Sequence, residues 1–174
     1  AAGPMWPPAV RVGCNVSVLI RNAGLFRIKS CQKRDVGRWE PVIGVHLKGT
    51  FHPTRAAYAQ MLEQGTGGRI IMTSSTSGLI GNFGQTNYGA AKAGIAGFMR
   101  CLALEGARAG ITVNVLAPNA YSRMTADLFP EGSDVLFAPE KVSPAIAWLC
   151  SDEAEAVTGR QFVISGNRVS VLYQ

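Results

Sequence analysis

The chain has 174 residues, 47% of them hydrophobic and 16% charged, with a formal net charge of +6. This composition suits one globular domain with a buried core and excludes an intrinsically disordered chain. The excess charge lies at one end, with seven Lys/Arg against Asp35 and Glu40 in residues 1–40 and ten against nine in residues 41–174. It reads as a solvated segment, not as the basic stripe of a nucleic-acid binder.

No run of about eighteen apolar residues is present, so no transmembrane helix is expected. The N-terminal residues lack the apolar stretch of a secretory signal. The four cysteines form no CxxC and no Cys/His cluster, so no metal site is expected and a reducing cytoplasm is the expected location. Cys101 and Cys150 fall in apolar helical patterns and read as buried thiols.

Residues 1–15 are rich in Pro, Ala and Gly without a period and read as irregular. Val16–Ile20 (VSVLI) is a short β-rich apolar run, a buried strand ended by Asn22-Ala23-Gly24. Val36–Glu63 predicts a long helix with breaks near Pro41 and Pro53. Gly65–Gly68 (GTGG) is a turn, Arg69–Ser74 (RIIMTS) a second buried strand, and Ser75–Thr86 a polar loop. Asn87–Arg108 predicts a second long helix, with Ala91, Ile95, Phe98 and Leu102 along one stripe and Gly110 closing it. Ile111–Ala117 (ITVNVLA) is a third strand stopped by Pro118. Thr125–Phe129 is a short helix, Pro139–Ser151 a helix with Pro in its first turn, and Gln161–Ile164 a last strand.

Strands alternating with helices pair in parallel. The expected fold is therefore a single α/β layered domain with an open parallel sheet. Ligands of such sheets bind beyond the carboxyl ends of the strands. That rule selects Asn22-Ala23-Gly24, Ser74-Ser75 and the segment from Pro118 to Arg123.

Tyr88 and Lys92 stand four residues apart in NYGAAKAG, which places them on one helix face, one turn apart. A free phenol has a pKa near 10, and a nearby ammonium favours phenolate. Ser75, at the end of the neighbouring strand, is placed to hold a substrate oxygen. The three make an acid/base device for a carbonyl or carbinol. A half-buried tyrosine beside a solvated lysine gives the same spacing without any chemistry, so the pair does not decide the matter. The surrounding Gly89, Ala90, Ala91, Ala93, Gly94 and Gly97 strip bulk from the helix and permit close approach.

Ser75, Tyr88 thirteen residues later and Lys92 four further on resemble the catalytic trio of the short-chain dehydrogenase/reductases. Arg21-Asn22-Ala23-Gly24 is similar to that family's NNAG motif, and Gly68–Ser75 (GRIIMTSS) to its fifth strand. Val113–Pro118 (VNVLAP) resembles the segment leading to the nicotinamide. VHLKGTFHPTRAA, SGLIGNFGQTNY and APNAYSRMT look like the (3R)-hydroxyacyl-CoA dehydrogenases of peroxisomal multifunctional enzymes of type 2 and their bacterial relatives. The likeness runs from about Val16 to Gly166.

The resemblance implies a Rossmann-type sheet with helices on both faces and an NAD-linked oxidoreductase acting on a secondary alcohol such as a 3-hydroxyacyl-CoA. NADP is the alternative cofactor, because the residue that chooses between them has no counterpart here. Tyr88 would act as base, Ser75 would hold the substrate oxygen, and Lys92 would lower the tyrosine's pKa and hold ribose hydroxyls. Asn22, Ala23 and Gly24 would lie along the cofactor, and Pro118, Asn119, Ala120, Tyr121 and Ser122 would wrap its nicotinamide end. The family's two long helices pair subunits, so a homo-oligomer is expected.

Several positions depart from the pattern. The family's TGxxxGxG turn and first βαβαβ half are not matched. Residues 16–174 are therefore expected to form the C-terminal portion of one such domain after a non-family lead over 1–15. Arg21 replaces the first Asn of NNAG, His46 stands where many members carry a fourth catalytic Asn, and Tyr121 replaces a glycine. A non-catalytic α/β module that oligomerises through its two long helices is the alternative reading.

Overall fold

A computed structural model of the chain describes residues 15–122, 125–126 and 129–173. The expected irregular lead over 1–15 lies almost wholly outside them, and so does part of the expected helix Thr125–Phe129. Five strands form one sheet in the order β1 (Val18–Arg21), β2 (Gly68–Thr73), β3 (Ile111–Asn119), β4 (Gln161–Ser165) and β5 (Arg168–Leu172). The first four run parallel and β5 is antiparallel to β4.

Successive side chains of a strand point to opposite faces, and both faces of β2, β3 and β4 are covered. The stretch Val16–Ile20, expected to be a buried strand, is instead an edge with Val18 39% and Ile20 47% exposed, because β1 pairs only with β2 among the described residues. Ile70 and Met72 pack with Val113 and Val115 under Met61, Ile95 and Met99 of the helices on one side. Ile71 and Leu116 pack with Phe162 and Ile164 under Leu149 on the other. The near-continuous apolar runs of β2 and β3 follow from this double burial. The crossovers on the first side are α1 (Val36–Ile43) with α2 (Gly49–Gln64), and α4 (Thr86–Gly106); the crossover on the other side is α5 (Ser143–Cys150).

Four further expectations are corrected. The break in the helix Val36–Glu63 lies between its prolines: between α1 and α2, Gly44–Lys48 forms a π turn, where the Gly49 N–H reaches back five residues to the Gly44 carbonyl. The prolines do not break the helix; Pro41 and Pro53 lie within α1 and α2. The third strand runs through Pro118, whose partner is Ile164 on β4, whereas β2 pairs with β3 only as far as Leu116. On that side Pro118 faces no neighbouring strand, so its missing N–H interrupts no ladder. A hairpin adds β5, turning at Gly166 with φ +56°; the stretch VIS-GN-RVS carries its signature. Finally, Cys101 is exposed and Cys150 only half-buried, because the apolar stripe of α4 runs through Ile95, Met99 and Leu102 instead. Among the described residues, no helix is long and apolar enough to cross a membrane.

The expected loop after β2 contains one helical turn, α3 (Thr76–Leu79), capped by the Ser75 side chain, which accepts from the Ser77 N–H. This turn lies directly on α4. A Cβ built on Gly78 would stand 2.6 Å from the Lys92 carbonyl carbon and from the Ala93 nitrogen. Gly78→Ala is expected to destabilise the fold by about 1–3 kcal/mol, the range for overpacking a close contact. Gly97→Ala on α4, where the nearest neighbour of a new Cβ is 3.9 Å away, is expected to stabilise it by up to about 1 kcal/mol. Urea unfolding of the two variants checks both signs.

Candidate active site

The carboxyl ends of β1, β2 and β3 open onto one cavity of about 620 Å³. The end of β2 supplies Thr73, Ser74 and Ser75, the first turns of α4 supply Tyr88 and Lys92, and the end of β3 supplies Pro118, Asn119, Ala120 and Ser122. Asn22 and Gly24 line the wall next to β1, and Val142, Ser143 and Ile146 the opposite side. The sequence-selected residues Ser75, Tyr88, Lys92, Asn22, Gly24, Pro118, Asn119, Ala120 and Ser122 thus meet in one place. Ala23 and Tyr121 do not line it. The Tyr121 ring turns to Phe129, 6.0 Å between centroids, and its N–H bonds to the Phe137 carbonyl at 2.7 Å.

Lys92 is 3% exposed. Its Nζ donates to the Thr73 carbonyl at 2.6 Å, and it stands 5.5 Å from the centre of the Tyr88 ring. One turn of helix fixes that spacing. A second bond, from Ser74 Oγ to the Lys92 carbonyl at 2.8 Å, ties the same residue to the same strand end. Burial lowers the ammonium's pKa to about 7, and the Arg21 charge pushes in the same direction.

Tyr88 is 8% exposed. Burial raises its phenol pKa, and a hydrogen bond with the Ser75 side chain opposes the rise. The phenol ring is wedged between Phe26, centroids 4.4 Å apart, and the edge of His46 at 5.0 Å. Phe26 comes from the stretch after β1 and carried no motif that would have marked it. Arg34 orders that stretch: Nη1 donates to the Arg27 carbonyl at 2.9 Å, Nη2 to the Lys29 and Gly84 carbonyls, and Nε to Thr86 Oγ1 at 3.0 Å.

His46, on the π turn, is 1% exposed. Its Nε2 pairs with the Leu25 backbone, 3.1 Å from the nitrogen and 2.8 Å from the oxygen. Its Nδ1 is buried without a protein partner among the described residues. Burial lowers the imidazole pKa to about 4, with Lys92 and Arg21 adding to the fall and the Leu25 hydrogen bond resisting it. Among the described residues, no carboxylate lines the cavity.

The residues present fit the reacting end of a nicotinamide dinucleotide. A lysine beside a tyrosine projects into a cavity of ligand size, and Asn22 is held at its rim by Thr73 Oγ1, 3.0 Å from Asn22 Oδ1. The described residues contain no glycine-rich strand-to-helix turn of the kind that cradles a pyrophosphate.

A layered α/β domain with a tyrosine, a lysine and a serine gathered at its strand ends is the architecture of a hydride-transfer enzyme class. The profile of the short chain dehydrogenase family matches residues 9–131, and the chain belongs to that family. It is 46% identical over 140 residues to the mouse peroxisomal multifunctional enzyme type 2, covering 80% of this chain and 19% of that protein. It is 39% identical over 163 residues to an acetoacetyl-CoA reductase of Allochromatium vinosum, covering 87% of this chain and 65% of that protein. A crystal structure of a short chain dehydrogenase from Mycobacterium avium superimposes with a TM-score of 0.81 at 44% identity, covering 91% of this chain and 55% of that one. The chain therefore spans less than two thirds of the length of each.

His46 sets the acid limit of the site. Its folded pKa of about 4 lies below the 6.5 of a free imidazole, so the unfolded chain takes up the proton first and stability is lost as pH falls from 6.5 towards 4. Thermal melts across that window are expected to show a falling midpoint, with a shallower slope in His46→Gln than in the parent. Equal slopes would assign the acid loss to other groups.

Proposed function

We propose that the chain carries the reacting half of an NAD(P)-dependent oxidoreductase that interconverts a secondary alcohol and a ketone, with a 3-hydroxyacyl-CoA or a similar thioester as substrate. The observation that carries this reading is the convergence of Ser75, Tyr88 and Lys92 on one cavity, with the Lys92 ammonium 5.5 Å from the centre of the Tyr88 ring. The substrate class rests on the acetoacetyl-CoA reductase among its relatives and on the sequence likeness to hydroxyacyl-CoA dehydrogenases. A homo-oligomer pairing through the long helices is part of the same reading.

When bound, the nicotinamide cofactor supplies the hydride acceptor for alcohol oxidation and the hydride donor for ketone reduction. Lys92, Asn22, Gly24, Pro118, Asn119, Ala120 and Ser122, which line the cavity, would hold it. Ser75 Oγ orients the substrate oxygen. The Tyr88 phenolate takes the hydroxyl proton of an alcohol, and the protonated phenol returns it to a ketone oxygen. Lys92, while charged, favours the phenolate by proximity. Phe26 and His46 fix the ring so that its oxygen keeps one direction, which is the positioning that proton transfer requires.

The raised phenol pKa gives the two directions opposite pH behaviour. Oxidation needs phenolate and is expected to climb as pH rises into the alkaline range; reduction needs the protonated phenol and is expected to fall there. Calorimetric titration of the purified chain with NAD(H) and NADP(H) is the first test. Saturable binding, weakened at least about tenfold by Lys92→Ala, is expected, with Tyr88→Phe leaving binding intact and lowering turnover by about 10²-fold or more. A folded chain that binds neither dinucleotide at millimolar concentration would sink the proposal and favour a non-catalytic module.

A further inference from the structure

At the end of β1, Arg21 donates from Nε to the Gly49 carbonyl at 2.8 Å, from Nη2 to the Val45 carbonyl at 2.6 Å, and from Nη1 to the Ala23 carbonyl. All three acceptors are backbone oxygens, and the local chemistry explains why two of them are open to it. In a regular helix the Gly49 carbonyl is taken by the N–H of the residue four further on. That residue is Pro53, which has none. One turn earlier the Gly49 N–H bonds to Gly44 across the π turn, five residues back instead of the four that would reach Val45. The guanidinium fork reaches both points and closes on Ala23 of its own loop.

The consequence is mechanical. Arg21 joins the Asn22–Gly24 segment to the turn that carries His46. His46 in turn pairs with Leu25 and stands against Tyr88. The consequence is also electrostatic. The groups around the Lys92 ammonium are Arg21 from β1, His46 from the π turn, Tyr88 from its own helix and the uncharged end of β2. Arg21 is the one permanent charge among them, and it has the sign of Lys92. Its cost in repulsion is accepted in exchange for the backbone bonds, which guanidinium makes well because its donors are fixed in a planar fork.

We propose that Arg21 is a positioning residue of the site: it clamps the Asn22–Leu25 wall to the His46 turn. It acts through His46 and touches no reacting atom. This rests on the reading of Lys92 as a working group, but its consequences are measurable on the resting chain without turnover.

The test compares the parent chain with Arg21→Gln, which removes the charge and the fork, and Arg21→Lys, which keeps the charge and loses the fork. Two readouts are taken: amide hydrogen exchange, and NMR titration of the Lys92 ε-methylene signal. In both variants the Leu25 amide is expected to exchange at least about tenfold faster while amides of β2 and β3 keep their rates. The Lys92 midpoint is expected to rise in Arg21→Gln and to stay near the parent value in Arg21→Lys. Unchanged Leu25 exchange, or a loss shared equally by β2 and β3, overturns the clamp and leaves Arg21 a general stabiliser of the sheet. An unmoved Lys92 midpoint in Arg21→Gln overturns the charge coupling. Failure of dinucleotide binding with these results intact would strike the proposed activity alone.

Discussion

The bond from Lys92 Nζ to the Thr73 carbonyl, 2.6 Å long and buried, is the constraint on which the site depends. It ties the last residue of β2 to the second turn of α4, and with the Ser74–Lys92 bond it sets how far the helix can slide along the strand. Ser75 follows that strand end and Tyr88 sits one turn before Lys92, so one anchored residue fixes both partners. A buried ammonium is costly unless it is hydrogen-bonded. Burial, with the Arg21 charge adding to it, lowers its pKa to about 7. The close seat of α3 on α4 at Gly78 completes the anchorage by filling the space above Lys92.

The second organising feature is the use of arginine on backbone oxygens. Arg21 and Arg34 both come from the basic N-terminal stretch, and both aim their guanidinium groups at carbonyls. The stretch is thus only partly the solvated segment its charge suggested. Two of its cations order the walls of the cavity, one beside His46 and one beside Phe26. Their targets are open because the chain is irregular there, through a π turn, a proline in a helix and a loop without secondary structure of its own. Unpaired backbone acceptors near a buried surface need partners, and arginine can bridge several at once.

These facts explain what the residues alone made legible. The runs RIIMTS and ITVNVLA read as buried strands because both of their faces are covered, and that leaves an unbroken apolar record. Tyr88 and Lys92 were legible because helix geometry makes a spacing of four a spatial statement, and Ser75 because strand ends in a parallel sheet converge. The π turn was not legible. The carbonyls left open there are met by Arg21, 24 and 28 residues away, and backbone oxygens leave no side-chain pattern. Tyr121 looked like a cofactor contact by its place in the chain, but its ring turns to Phe129, a choice made by aromatic packing. The strand β5 was missed although Gly166-Asn167 marks its turn, because the expected alternation of strands and helices left no place for a hairpin.

The electrostatics of the cavity connect these parts. Lys92, His46 and Arg21 share one region that no carboxylate lines among the described residues. Burial depresses the pKa of both Lys92 and His46, the Arg21 charge adds to each fall, and Lys92 adds to that of His46. The same field favours negative charge wherever it develops nearby, and the group placed to carry that charge is the Tyr88 oxygen. Burial opposes ionisation of the phenol, and its raised pKa shows that in the resting chain burial outweighs the help of Ser75. The balance shifts with the protonation of Lys92, which is poised near neutrality. A tyrosine of this kind is not a permanent phenolate. It is a phenol kept protonated by burial, and in the proposed function the charged form of the lysine one turn away is what would favour its ionisation.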